Sequence, residues 1–247
     1  YQLTAAGEDL KGAATRMERE VLTIDGGLLG QDSRLSGPVR VTVVNHIAES
    51  LLMPIFACFS KKYPEVTLQL LGSNTYASLA QREADVAIRV TDAPTETLIG
   101  KNLATFASAV YGSRAYLAAL HESKADPVWL GTECCGFHRN WTRQKCPSGK
   151  HSLTIDDTAL ASAALKQGAG VSILPCFLGD ADPELQRMAP PDPAYDLKLW
   201  VLIHSDLKRT ARVRVFREHL ADEIRKLSDQ LSGTLPGTAS SHLSKNE

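Results

Sequence analysis

Four side chains that could hold a metal or act as a thiol sensor lie close together: Cys134, Cys135, His138 and Cys146. Thiolate and imidazole are the usual ligands of structural zinc. That kind of site uses paired C-x-x-C steps, which this stretch lacks. Ordinary thiols in a loop fit the spacing better, and no metal site is expected. Acid–base chemistry has its own candidates in His46, His138, Asp156 and Asp157. They fall in separate segments without a known catalytic spacing. The sequence contains no G-x-S-x-G, P-loop or H-E-x-x-H. Gly168-Ala169-Gly170 looks superficially like a dinucleotide loop, but it closes a predicted helix and precedes a strand, the reverse of the fingerprint's order. These glycines read as a helix stop and a tight turn. The expectation is no enzyme and no cofactor.

Binding suits the remaining polar residues better than turnover does. The candidates are Asn45, His46, Ser73, Asn74, Thr91, Asp156 and Thr158. Each follows a predicted strand. In open α/β sheets ligands bind beyond the carboxyl ends of strands, where helix N-termini present free N–H groups. Asn, His, Ser and Thr there suit a polar or anionic ligand, while Asp156 and Asp157 argue against a dianion. Local structure offers a plainer account of several of them. Ser73, Asn74, Asp156 and Asp157 are ordinary helix caps. A lone His46 at a strand end is more often a cap or surface residue, and Arg89 could pair with Glu83 or Asp92.

The elements that place these residues alternate. Strands are predicted over 39–44, 66–71 and 85–90, with helices over 47–63 and 75–83 between them. This β-α-β-α-β order implies a parallel sheet with right-handed crossovers. Leu51, Leu52, Ile55, Phe56 and Phe59 share one face of the first helix. Further strands are expected over 98–103 and 106–112, then a helix over 113–120. A second α/β unit follows, with strands over 128–130, 152–155 and 171–174, a helix over 157–167 and a long strand over 197–204. The last helix, 210–227, carries Val213, Phe216, Leu220, Ile224 and Leu227 on one face. Residues 229–247 are rich in Ser, Gly and Thr and are expected to be disordered.

Before all this, Leu10, Ala14, Met17, Val21, Ile24 and Leu28 step alternately by four and three, the 3.5-residue period of a coiled coil. Thr4 can cap the start of that helix. The polar stretch at 30–34 leaves the helix no nearby core, so an intermolecular seam is favoured.

A net charge of −1 gives no whole-chain basic footprint for nucleic acid. No apolar run reaches membrane-spanning length, so no membrane partner is expected. The five cysteines fit no disulfide framework, which points to the cytoplasm. The chain begins with Tyr1 rather than Met, which points to residues upstream.

One ordered series remains. Gly37-Pro38-Val39-Arg40-Val41-Thr42-Val43-Val44 is followed by Leu51-Leu52-Met53-Pro54, Tyr63-Pro64-Glu65-Val66 and Arg82-Glu83-Ala84-Asp85-Val86-Ala87-Ile88-Arg89-Val90-Thr91. This series resembles the effector-binding domain of LysR-type transcriptional regulators, over residues 1–228. The resemblance implies an α/β fold of two Rossmann-like subdomains of the periplasmic-binding-protein type II kind, preceded by a long linker helix. It implies a dimerisation linker and connector at 1–37, a first effector subdomain at 38–112 completed by 205–228, and a second at 113–204. Joins between the halves are expected near Gly112 and near His204. The family's effector contacts map onto Asn45 and His46, Ser73 and Asn74, and Asp156 and Thr158. The implied partners are a small-molecule effector, a second copy in a homodimer or homotetramer, and DNA through a winged helix lying before residue 1. A transporter's solute-binding protein, with a similar two-lobed fold, is the alternative.

Overall fold

Val39, Val41 and Val43 are all buried in strand β1 (Gly37–Val43), and Thr42 between them is buried too. Such burial needs cover on both faces of the strand, as in a parallel sheet. The computed structural model supplies it. Residues 34–72, 84–91, 98–133, 136–146 and 151–234 are described, with Thr4, Gly7, Leu10, Ala14 and Met17 before them. β1 lies parallel to β2 (Val66–Gly72) on one side and to β3 (Val86–Val90) on the other. The expected parallel arrangement therefore holds for these three strands. The long return strand β10 (Leu197–Ile203) runs antiparallel to β3, and β4 (Ile99–Phe106) completes the order β2-β1-β3-β10-β4. The predicted 75–83 helix lies outside the described residues.

Between β1 and β2 the chain is helical over 45–62 (α1), with a π turn at Ala48–Leu52 before Met53–Lys62. Pro54 has no N–H to give and its ring crowds the preceding turn. The N–H of Met53 accordingly reaches back five residues to the Ala48 carbonyl. Leu51, Leu52, Ile55, Phe56 and Phe59 are buried as the periodicity predicts. They meet the last long helix, α6 (Ala211–Lys226). Phe59 stands edge-on to Phe216, with centroids 5.1 Å apart at 84°. The His219 ring nitrogen Nε2 lies 3.3 Å from the Ile55 carbonyl.

The chain divides into two compact units, residues 1–103 with 199–225, and residues 104–198 with 226–247. The passages between them fall inside β4, inside β10 and just after Arg225. The expected joins near Gly112 and His204 thus move back into the strands themselves.

In the second unit, β5 (Ser108–Ser113) pairs antiparallel with β8 (Ser172–Pro175) and β9 (Leu185–Arg187). A short parallel pair, β6 (Gly131–Thr132) and β7 (Thr154–Ile155), stands beside them. Ser113 caps α2 (Arg114–Ser123) by accepting from the Tyr116 N–H. Helix α4 (Thr158–Lys166) ends at Gly168, whose φ is +73°, and Gly170 follows at +147°. A Cβ on Gly170 would collide with the Val128 carbonyl oxygen. The three-residue glycine motif is therefore a turn, as expected.

Three expectations are corrected here. Within the stretch read as a loop holding thiols, residues 136–145 form a helix, α3 (Gly136–Lys145). Its buried face is His138, Trp141 and Thr142, a helical spacing made of residues that a hydropathy pattern counts as mostly polar. The strand expected at 128–130 starts instead at Gly131, and Trp129 makes only an isolated bridge to Val171. The tail expected to be disordered from residue 229 is ordered to Thr234. Ser228–Leu231 is helical (α7) and Leu231 is fully buried. One apolar side chain and one glycine suffice to dock it, too little to register in composition. Residues 235–247 lie outside the described residues.

Candidate functional site

The first unit gathers polar groups at the carboxyl ends of its parallel strands. Register puts Val43 opposite both Gly72 and Ile88, so β1 and β2 end at one level and β3 runs two residues further, to Val90. Asn45 is exposed and its side chain lies against Gly72, where a Cβ would collide with Oδ1. His46 is half-buried at the first turn of α1. Val44 stands at the N-cap position in extended backbone and contributes no capping side chain. The first N–H groups of α1 are thus left without the usual side-chain acceptor from the cap residue. Thr91 is half-buried beyond β3, and its carbonyl accepts from the Trp200 indole N–H at 3.0 Å. Ser73 and Asn74 lie outside the described residues.

Beneath these groups sits a pair that the sequence reading did not assign to a site. Arg89 is 3% exposed. Its Nη2 donates to Thr42 Oγ1 at 2.8 Å and its Nη1 to the Ile88 carbonyl at 3.1 Å. A buried guanidinium is costly unless it is held by partners. The available signal was an arginine inside an otherwise apolar parallel strand, Val86-Ala87-Ile88-Arg89-Val90. Asp85 at the strand's other end is structural. Its Oδ2 accepts from the Arg40 backbone N–H at 2.9 Å. Burial raises its carboxyl above the usual value, and the Arg40 N–H with the charges of Arg212 and Arg40 offsets part of that.

In the second unit Asp156 is exposed after β7, and Thr158 is buried at the start of α4. Between them Asp157 is the N-cap, with Oδ1 accepting from the N–H groups of Ala159 at 2.8 Å and Leu160 at 3.0 Å. At the end of β6, Thr132 Oγ1 and Ser172 Oγ are 2.9 Å apart, both buried. The Thr132 N–H reaches Thr142 Oγ1 at 3.3 Å. Asn45, His46 and Thr91 thus follow strand ends in the first unit and Asp156 and Thr158 in the second, where the fold itself occupies several of the polar neighbours.

Of the cysteines, Cys58, Cys146 and Cys176 are described. Cys134 and Cys135 lie outside the described residues. Among the described residues no group of three or more His, Cys, Asp or Glu side chains is placed to hold a metal ion. Cys176 is buried, and burial pushes its thiol up, against smaller opposing effects of the Tyr111 hydroxyl and Arg187. A thiol held neutral is a poor nucleophile.

The LysR substrate binding domain family model matches residues 32–225. The HTH-type transcriptional regulator CrgA of Neisseria meningitidis serogroup C is 24% identical over 237 residues, covering 90% of this chain and 79% of that protein. The HTH-type transcriptional regulator PtxR of Pseudomonas aeruginosa is 27% identical over 241 residues, covering 90% of this chain and 76% of that protein. The solved CrgA regulatory domain superposes with a TM-score of 0.62 at 23% identity, over 76% of this chain and 99% of that one.

Proposed function

Since the chain belongs to the LysR substrate-binding-domain family, with the two-lobed α/β fold of that family, we propose that it senses a small polar or anionic effector and reports it through subunit pairing to DNA. The observation that carries this reading is the strand-end site of the first unit. There an N-cap position without a capping side chain, the exposed Asn45 and the buried Arg89–Thr42 pair stand at the ends of three parallel strands. Helix N-termini and buried cations favour negative or strongly polar groups. Asn45, His46, Ser73, Asn74 and Thr91 contact the effector at this unit's strand ends, and Asp156 and Thr158 are the second unit's candidate contacts. The effector acts by preferring one of two arrangements of the protein, which biases the spacing of the DNA-reading heads in a dimer or tetramer.

Subunit pairing uses the helix at the start of the chain. Gly7, Leu10, Ala14 and Met17 are helical, and Gly7 donates its N–H to Thr4 Oγ1. Leu10 and Met17 are 73% and 72% exposed, which supports a seam meant for a second copy. The regulator reading places the protein in the cytoplasm. The relatives are named as regulators of transcription rather than transport proteins.

The test is calorimetry on this chain with a panel of small carboxylates and neutral polar analogues. Binding of one class, weakened in Asn45→Ala and Ser73→Ala without loss of thermal stability, supports the reading. Binding that neither variant weakens places the site elsewhere. For pairing, Met17→Glu with Val21→Glu is expected to lower the sedimenting mass, and an unchanged mass counts against the seam. With a net charge of −1 the chain itself is expected to bind DNA weakly and without sequence preference.

A further inference from the structure

We propose that residues 226–234 form a releasable strap. They make a third chain connection between the two units, and its docking limits the motion of one unit against the other. This holds whatever the effector is.

Helix α6 carries Phe216, Leu220 and Ile224 into the first unit's core, but from residue 226 onward the chain belongs to the second unit. There it meets a built dock. The Ala107 N–H donates to the Leu231 carbonyl at 2.8 Å, and the Leu231 side chain is fully buried. The Gly233 carbonyl accepts from both Nη1 and Nη2 of Arg187, each at 3.2 Å. Arg187 is itself fixed, with Nε 2.9 Å from Asp180 Oδ1 and 3.2 Å from the Tyr111 hydroxyl, which donates to the same carboxylate at 2.7 Å. Gly233 has φ +66°, and a Cβ there would lie 3.1 Å from both Ala107 Cβ and Cys176 Sγ. Backbone conformation and space both call for glycine at this position.

The three connections differ in kind. Two run inside β4 and β10, which are laddered into the five-stranded sheet, so neither opens without tearing that sheet. The third rests on one buried leucine, one glycine and the hydrogen bonds from Ala107 and Arg187. Segments with so few buried contacts belong to the low end of local stability. The strap also holds its own shape. Ser232 Oγ donates to the Asp229 carbonyl at 2.9 Å and lies 2.8 Å from Thr234 Oγ1. It can therefore leave its dock as one piece while both cores stay closed.

Gly233→Val tests this by placing a β-branched residue at positive φ against Ala107 and Cys176. Hydrogen exchange reads the dock directly, since the Ala107 amide is bonded to the strap. Spin labels carried by unnatural amino acids at the exposed Lys61 and Glu122, one in each unit, read the distance between units. Exchange at Ala107 and at 228–233 is expected to rise together by about tenfold, the cost of a left-handed non-glycine residue. The Val110 and Ile173 amides are expected to keep their rates, and the interlabel distance distribution to widen. Leu231→Asp, which removes the other anchor, is expected to do the same. Faster exchange at Val110 and Ile173 in step with the strap would make it part of the second unit's core and overturn the proposal. So would an unchanged distance distribution in both variants, or failure of both to fold.

Discussion

The strand ends of the two units are built from similar residues and treat them differently. In the first unit the helix after β1 begins at Val44, which offers no capping side chain. In the second, Asp157 caps α4 with bonds to two N–H groups. Asn45 in the first unit is exposed, whereas Thr132 and Ser172 in the second are buried and paired with each other. The lesson is that polar residues at a strand end do not by themselves make a site. What matters is whether the fold has already used their hydrogen-bonding capacity. On that criterion the strand ends of the first unit keep more of this capacity for a ligand than those of the second.

The sharpest way to break this comparison is to substitute one glycine in each unit. Gly170 has φ +147° and meets the Val128 backbone oxygen, which cannot step aside. Gly170→Ala is expected to cost about 3 kcal/mol of stability, the sum of strain and overlap. Gly72 meets the tip of the Asn45 side chain, which can rotate away. Gly72→Ala is expected to change stability by less than about 0.5 kcal/mol, yet to weaken effector affinity by displacing Asn45. Denaturant unfolding and calorimetry on the two variants give the answer, and equal stability losses would erase the distinction.

Next in size is the hydroxyl pair. Ser172→Ala leaves Thr132 Oγ1 buried without that partner, at a cost of about 1–3 kcal/mol. Adding Thr132→Val is expected to restore much of the loss, because removing both partners removes the unpaired group. A double variant as unstable as the sum of its parts would show that these hydroxyls have other duties.

Helix starts offer a smaller effect of opposite sign in the two units. Asp157→Ala is expected to lower stability by about 1 kcal/mol through loss of the cap. Val44→Asp is expected to add a cap to α1 and stabilise it by a few tenths of a kcal/mol, while repelling an anionic effector. Thermal unfolding with and without the effector separates the two outcomes. Binding unchanged by Val44→Asp would argue for a neutral effector.

Why the sequence allowed part of this and not the rest is a matter of periodicity. β1, β3 and the buried face of α1 are written in apolar residues at fixed spacing, so strands, helix and parallel order were legible. Thr4's cap and the glycine turn at 168–170 were legible because their chemistry is local. Helix α3 was not, since His138 and Thr142 form its inner face beside Trp141. Arg89 was legible only in part: its place in an apolar strand is a local signal for burial, but its partner Thr42 lies 47 positions away. The docked segment at 228–234 was not legible, because Gly233 matters through Arg187, Ala107 and Cys176, which are remote in sequence.

The smallest effect contrasts two aspartates, one in each unit. Burial raises the carboxyl of both above the usual range. At Asp85 the Arg40 N–H and the charges of Arg212 and Arg40 offset part of that cost. At Asp196 the second influence, Asp192, raises the carboxyl further, and Oδ1 is buried without a hydrogen-bond partner. A carboxyl raised in the folded state is held better protonated, so its contribution is favourable below the unfolded value of about 3.9 and is lost as pH climbs through the folded value. Asp196→Asn, neutral at every pH, is therefore expected to raise the unfolding temperature at neutral pH and to match the native protein once both are acidified below that window. Asp85→Asn is expected to gain less at neutral pH. Unfolding midpoints measured from acid to neutral pH decide it: a gain for Asp196→Asn that persists unchanged into acid would mean the benefit comes from packing rather than charge.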